Sequence, residues 1–160
     1  MKRMNLLLLM MWLPFVGRAE TDASVAADLA HLERIAEPDE VDLAIAKGLE
    51  WLVRQQDVET GAFRGKLPNT YTALSCMALM ASGHLPGRSE YGEAVQKGIL
   101  YLIKVAEEEN GYFGHEREGR MYAHGICSLA LAEAYGMMPT EEENRKVKQA
   151  LERANRVTFD

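Results

Sequence analysis

Apolar residues recur at helical spacing along most of the chain after residue 24, and no strand-like alternation of apolar and polar positions interrupts them. Proline, glycine and capping residues divide this pattern into six segments. Helices are predicted over 24–36, from Asp39, from a cap at Thr70 to about Gly83, from a cap at Ser89 to about Glu108, from about Met121 to Tyr135, and from a capping box at Thr140 and Glu143. The pattern therefore predicts an all-α protein.

The predicted helices alternate between two types. Outer-type helices have one apolar and one charged face, with apolar positions Val41, Ile45, Leu49, Leu52 and Val53 in the first and Val95, Ile99, Leu102, Ile103 and Ala106 in the second. Inner-type helices, at 72–83 and 124–136, are nearly apolar all round, which predicts burial on every side. Two helical layers, one inner and one outer, follow from this patterning.

A repeat relates the two halves of this region. Residues 44–63 and 94–113 align without a gap at a spacing of fifty residues, and a spacing of this order is typical of arrays of supersecondary units. The matched positions are Lys47-Gly48 with Lys97-Gly98, Gly61 with Gly111, and Phe63 with Phe113. The predicted units are 39–88, 89–139 and a partial third unit 140–160.

The third unit is expected to lack its inner helix. Ala150 is placed where Gly98 stands in the second unit, and the sequence stops at Asp160 before any glycine–aromatic loop. Either the chain is part of a longer reading frame or a partner completes it, and self-association through the unfinished face is a further expectation.

The first nineteen residues have the layout of a secretory signal peptide. Lys2 and Arg3 precede the apolar run 5–16, and small residues stand before a predicted cut after Ala19. A retained membrane anchor is the alternative, although the run is shorter than the roughly 20 residues that span a bilayer. We expect an exported protein in which 20–38 forms an N-terminal helix and linker.

The net negative charge of the chain argues against partners that bind basic surfaces. The net charge is −6, and removal of the leader with its Lys2, Arg3 and Arg18 would bring it to −9. Nucleic acids and anionic lipids bind basic surfaces, so neither is an expected partner. An excess of acidic residues also keeps a protein soluble.

Cys76 and Cys127 are the only cysteines, and both fall in inner-type helices at nearly equivalent places. In an exported protein they could form a disulfide, or they could be buried free thiols that pack as small apolar residues. Neither cysteine belongs to a cluster with metal-ligand spacing, so no metal or other cofactor is expected.

The repeated residues resemble a known family. Lys47-Gly48, Gln56, Gly61 and Phe63 are similar to the repeat of the prenyltransferase and squalene–hopene cyclase superfamily, in which a tryptophan stands at the Phe63 and Phe113 positions. The resemblance covers 41–160, although the glutamine is replaced by alanine at 106. It implies an α/α toroid, of which this chain would form an incomplete ring.

The catalytic motifs of that superfamily do not occur in this sequence. The cyclases use an Asp-x-Asp-Asp run, the protein prenyltransferases an Asp, Cys and His zinc site, and the thioester proteins a Cys-Gly-Glu-Gln run, and the chain has none of them. By repeat position, Tyr71, Tyr122, His115 and His124 are predicted to meet at one rim, where they could bind a ligand or move a proton. The alternative is that the histidine and tyrosines pack and cap the helix starts.

Three functions fit these observations. The first is an exported, non-catalytic repeat module that binds a protein or an apolar ligand. The second is a fragment of a terpenoid cyclase or prenyltransferase-like enzyme whose catalytic residues lie outside this chain. The third is a partial gene product without a function of its own. The missing motifs favour the first of these.

Overall fold

The computed structural model describes residues 38–114 and 119–159, which form five helices and no strand. The helices are α1 (Glu40–Arg54), α2 (Pro68–Ala81), α3 (Gly92–Glu108), α4 (Met121–Ala134) and α5 (Glu141–Phe159). The all-α class is therefore confirmed for these residues. The predicted leader 1–19, the predicted helix 24–36 and His115 lie outside them.

The chain separates into a unit of residues 1–44 and a unit of residues 45–160. Of the first unit, the structure describes only the residues from 38 onward. There the Asp39 carboxylate caps α1 by accepting hydrogen bonds from the backbone N–H groups of Val41 and Asp42 at 2.8 and 2.9 Å.

Side-chain caps and glycines set most of the helix ends that were predicted. The Thr140 hydroxyl accepts from the Glu143 N–H at 3.2 Å, and the Glu143 carboxylate accepts from the Thr140 N–H at 3.2 Å, which confirms the capping box. Gly83 and Gly136 follow α2 and α4 with φ of +87° and +82°, a conformation that favours glycine.

The predicted starts of α2 and α3 were wrong. Helix α2 begins at Pro68, which suits a first helical position because that position needs no N–H donor, and Thr70 is buried inside the helix. Helix α3 begins at Gly92, because Ser89 forms a tight turn in which its backbone carbonyl accepts from the Gly92 N–H at 3.0 Å.

The helices of residues 45–159 pack in two layers. Inner-type helices α2 and α4 lie side by side, outer-type helices α3 and α5 lie side by side, and α3 also contacts both inner-type helices. The core between the layers contains Phe63, Leu79, Ile99, Leu102, Phe113, Leu131 and Val147, all nearly inaccessible to water. This agrees with the predicted separation of helix types, whereas closure into a toroid stays a prediction.

Gly61 and Gly111, the glycines of the loops after α1 and α3, each contact the next outer-type helix in the same way. A Cβ built on Gly61 would lie 2.6 Å from the Lys97 carbonyl oxygen, and a Cβ built on Gly111 would lie 2.7 Å from the Arg153 carbonyl oxygen. Arg153 therefore occupies the place of Lys97. The next residue, Ala154, is fully buried and takes the place of Gly98. The predicted equivalence of Ala150 with Gly98 was thus wrong by one helical turn.

Two polar side chains of the first repeat, 39–88, bind groups of the second repeat, 89–139. The Gln56 amide donates to the carbonyls of Gly61 and Ala94, both at 2.8 Å. Asn69, buried at the start of α2, donates to the Phe113 carbonyl at 3.2 Å and accepts from the Tyr101 hydroxyl at 2.7 Å. These bonds satisfy buried polar groups and fix the register of the two repeats.

Cys76 and Cys127 form no disulfide and are fully buried, which favours the interpretation as packed thiols. Burial, with a smaller contribution from the neighbouring Cys127, raises the pKa of the Cys76 thiol to about 12.

Because the thiolate is the reactive form, we expect neither cysteine to react with Ellman's reagent in the folded chain, and both to react in denaturant. A Ser82→Cys variant places a control thiol at an exposed position and should react at once. Absence of free thiols from the non-reduced, denatured chain would contradict this prediction and establish the disulfide.

Candidate functional site

The inner-type helices were predicted to be buried on every side, and this was wrong for one face of each. The exposed residues of α2 and their counterparts in α4 are separated by 51 positions. We call these residues the apolar stripe: Tyr71, Leu74, Ala78 and Ala81 on α2, and Tyr122, Gly125, Leu129 and Ala132 on α4.

The apolar stripe contains large side chains that are well exposed. Leu74 and Leu129 are 47% and 49% accessible, and Tyr122 is 76% accessible. None of the eight positions holds a charged residue. Isolated exposed leucines are ordinary, but a face that is repeated in register on two adjacent helices forms a contiguous patch, which is typical of an interaction surface.

A cleft of about 420 Å³ lies beside the α2 part of the stripe. It is formed between the end of α1, the loop after α1, and α2. Its walls are mainly apolar, with Trp51, Leu52, Phe63, Tyr71 and Leu74 joined by the polar Gln55, Arg64 and Ser75. The volume and composition are within the range of small-ligand sites.

Of the predicted rim residues, the two tyrosines are exposed and His124 is buried. Tyr71 borders the cleft and Tyr122 extends into solvent, both on the exposed stripe. His124 is 1% accessible and lies 3.0 Å from the Thr158 hydroxyl of α5, so it packs in the core and not on the exposed stripe. His115 lies outside the described residues. The alternative interpretation, in which His124 packs, is the one that the contacts support.

The surroundings of His124 determine its protonation. His124 Nε2 lies 3.0 Å from the Thr158 hydroxyl oxygen, and that hydroxyl donates to the Ala154 carbonyl at 3.2 Å. Nδ1 is buried and has no hydrogen-bond partner among the described residues. Burial against Tyr112 and Phe113, whose ring centroids are 5.6 and 5.9 Å away, lowers the pKa of His124 below its usual 6.5.

Acid should therefore weaken the contact between α4 and α5. Because the unfolded chain holds the His124 proton more tightly than the folded chain, the free energy of unfolding is at its full value above pH 6.5 and falls as the pH decreases through that value. Urea unfolding at pH values from 7.5 to about 5 measures this slope. A His124→Gln variant should have a flatter profile, and an unchanged slope would contradict the assignment.

The described residues contain neither a group of metal-ligating side chains nor a membrane-spanning helix. Within 38–114 and 119–159, no three His, Cys, Asp or Glu side chains are grouped as metal ligands. No helix in the same residues is long and apolar enough to cross a bilayer.

Sequence reasoning missed the residues that the structure exposes. Trp51, Leu74 and Leu129 were assigned to no site, and the two leucines were expected to be buried because their helices are nearly apolar all round. The spacing of 51 between the exposed positions of α2 and α4 was a signal that could have identified the stripe.

The chain matches no known family model, no curated protein and no solved structure.

Proposed function

We propose that this chain is an exported, non-catalytic repeat module of the α/α-toroid type that binds a protein or an apolar ligand. The observation that carries the proposal is the apolar stripe, which is exposed in register on two adjacent helices, with Leu74 and Leu129 about half accessible. Leaving such side chains in water forgoes on the order of 25 cal/mol for each Å² that a partner could bury. A surface of this kind is suited to contact with another apolar surface.

The chemistry of the stripe also favours binding over catalysis. Its polar groups are the hydroxyls of Tyr71 and Tyr122, with Ser75 and Arg64 at the edge of the cleft. General acids and bases are most often groups whose pKa lies near the working pH, such as histidine or a perturbed carboxyl group, and none of the eight stripe positions holds one. The His124 ring faces away from the stripe toward Thr158.

Binding of the dye 1-anilinonaphthalene-8-sulfonate tests this proposal. The full chain should bind the dye, and a Tyr122→Ser/Leu129→Ser variant should bind it several-fold more weakly with an unchanged melting temperature, because both side chains are exposed. Val58→Ser is the matched control, since Val58 is 79% accessible but lies in a loop away from the stripe. Equal dye binding by the double variant and the parent chain would reject the stripe as the binding surface.

A further inference from the structure

In the loop after α3, Asn110 and Gly111 form a pair with a chemistry of its own. The carbonyl carbon of an asparagine side chain can be attacked by the backbone nitrogen of the next residue, and a side chain on that next residue hinders the attack. Asn110 is followed by a glycine, which has no side chain. The other asparagines are followed by larger residues: Asn5 by Leu, Asn69 by Thr, and Asn144 and Asn155 by Arg.

The reaction needs no second molecule other than water. The Gly111 nitrogen forms a bond to Asn110 Cγ and loses its proton, and the bond from Cγ to the amide nitrogen of the side chain breaks. That nitrogen leaves with the proton as ammonia. Water then opens the resulting five-membered imide at either of its two carbonyl carbons. One opening gives aspartate, and the other gives isoaspartate, in which the main chain passes through Cβ and Cγ.

The fold holds both reacting groups in the turn that ends α3. Asn110 is exposed and has a φ of +50°, a left-handed conformation that asparagine adopts more readily than most residues. Gly111 is buried, and its N–H donates to the Ala106 carbonyl at 2.8 Å. The attacking nitrogen must give up this hydrogen bond and its proton. The folded turn therefore protects Asn110 from the reaction, although the residue is exposed to water.

The packing around Gly111 leaves no room for a longer main chain. A Cβ built on Gly111 would lie 2.5 Å from the Arg153 carbonyl carbon of α5. Two residues further on, Phe113 is fully buried, and its carbonyl accepts from Asn69 at 3.2 Å. An isoaspartate at position 110 adds one atom to the main chain and so displaces these contacts. An aspartate at the same position adds only a charge.

From these observations we propose that Asn110 is a site of spontaneous modification to isoaspartate, which the folded turn closes and which unfolding of that turn opens. The reactants are the chain's own amide and one water molecule. The modification marks chains in which the end of α3 has opened, and it weakens the native packing of those chains. The inference goes beyond the proposed function, because Asn110 is not part of the apolar stripe.

Mass spectrometry of the full chain, incubated in mildly alkaline buffer with and without guanidinium chloride, tests the proposal. Trypsin releases the peptide 105–117, in which Asn110 is the one asparagine. We expect this peptide to gain the mass that replaces an amide NH2 by OH at least about tenfold faster in denaturant than in the folded chain, because the reaction follows the opening of the turn. Asn69 and Asn144, in peptides 67–88 and 121–145, are internal controls that should react more slowly in the same denaturant.

Two variants separate the added main-chain atom from the added charge. Asn110→Gly removes the amide and suits the positive φ at this position, so its peptide 105–117 should keep its mass in denaturant. Asn110→Asp has the charge of the modified chain on an ordinary backbone. The parent chain that has formed isoaspartate in denaturant and been returned to native buffer should melt at a lower temperature than freshly prepared Asn110→Asp.

Three results would overturn the inference. The first is an equal rate of mass gain at Asn110 with and without denaturant. The second is a reaction of Asn69 or Asn144 in denaturant that is as fast as that of Asn110. The third is a melting temperature of the isoaspartate chain equal to that of Asn110→Asp. None of these measurements involves dye binding at the apolar stripe, so failure here and failure of the proposed function are distinguishable.

Discussion

Phe63→Ala and Phe113→Ala should each lower the free energy of unfolding by about 3–5 kcal/mol. The two rings occupy equivalent places in the two loops and are 1% and 0% accessible. Each substitution loses the transfer free energy of a buried ring and leaves a cavity that the surrounding helices fill only in part. The Thr72 hydroxyl accepts from the Phe63 backbone N–H at 2.9 Å, and this hydrogen bond holds the backbone of Phe63 in place.

Chemical denaturation followed by circular dichroism measures both losses. Val58→Ala is the control from the same loop as Phe63, and because Val58 is 79% accessible its loss should stay below about 0.5 kcal/mol. A loss of that small size for either phenylalanine would show that the repeat alignment has no structural content.

The second large effect concerns two glycines that the repeat treats as equivalent. Gly98→Ala should destabilise the chain by about 1–3 kcal/mol, because its Cβ would meet Cys76 Sγ at 2.4 Å in a packed core. Gly48→Ala should stabilise it by up to about 1 kcal/mol, because alanine is the better helix former and described neighbours leave the Cβ free. The opposite signs of the two changes in the free energy of unfolding would show that Gly98 packs closely against Cys76 and that Gly48 has no such contact.

A double-mutant cycle identifies the cause of the Gly98 effect. Cys76→Ala removes the sulfur that the new Cβ would meet, so Gly98→Ala should cost less in that background than in the parent chain. Equal costs in both backgrounds would attribute the effect to something other than this contact. Stabilisation of the parent by Gly98→Ala would contradict the close approach itself.

The sequence was a good guide wherever one residue decides a local conformation. Asp39 and Thr140 cap helices with their own side chains, and Gly83 and Gly136 end helices in a conformation that other residues rarely adopt. The start of α3 was not predictable in this way, because Ser89 uses its backbone carbonyl, and not its side chain, to form the turn before the helix.

Burial was harder to predict, because it depends on which other elements pack on a residue and not on the type of the residue itself. Ile45 and Val95 are similar residues at equivalent positions, yet Val95 is fully buried and Ile45 is 48% accessible. For the same reason the exposed Leu74 and Leu129 could not be told from buried Leu79 and Leu131 by their chemistry.

The position of His124 depended on a register that sequence comparison had wrong by one turn. Aligning Ala150 with Gly98 gave no indication that Ala154 and Thr158 would lie beside the histidine. The carbonyl contacts of Gly61 and Gly111 define the register correctly, but they belong to the backbone and leave little trace in the sequence.

The central claim is that the apolar stripe is open in the folded chain and forms its binding surface. Titration of the methyl-labelled full chain with 1-anilinonaphthalene-8-sulfonate, followed by NMR, tests it most directly. The account predicts saturable shifts of the Leu74 and Leu129 methyl signals, with Leu79 and Leu131, which are fully buried in the same helices, unchanged. Shifts of Leu79 and Leu131 without shifts of Leu74 and Leu129 would contradict the account.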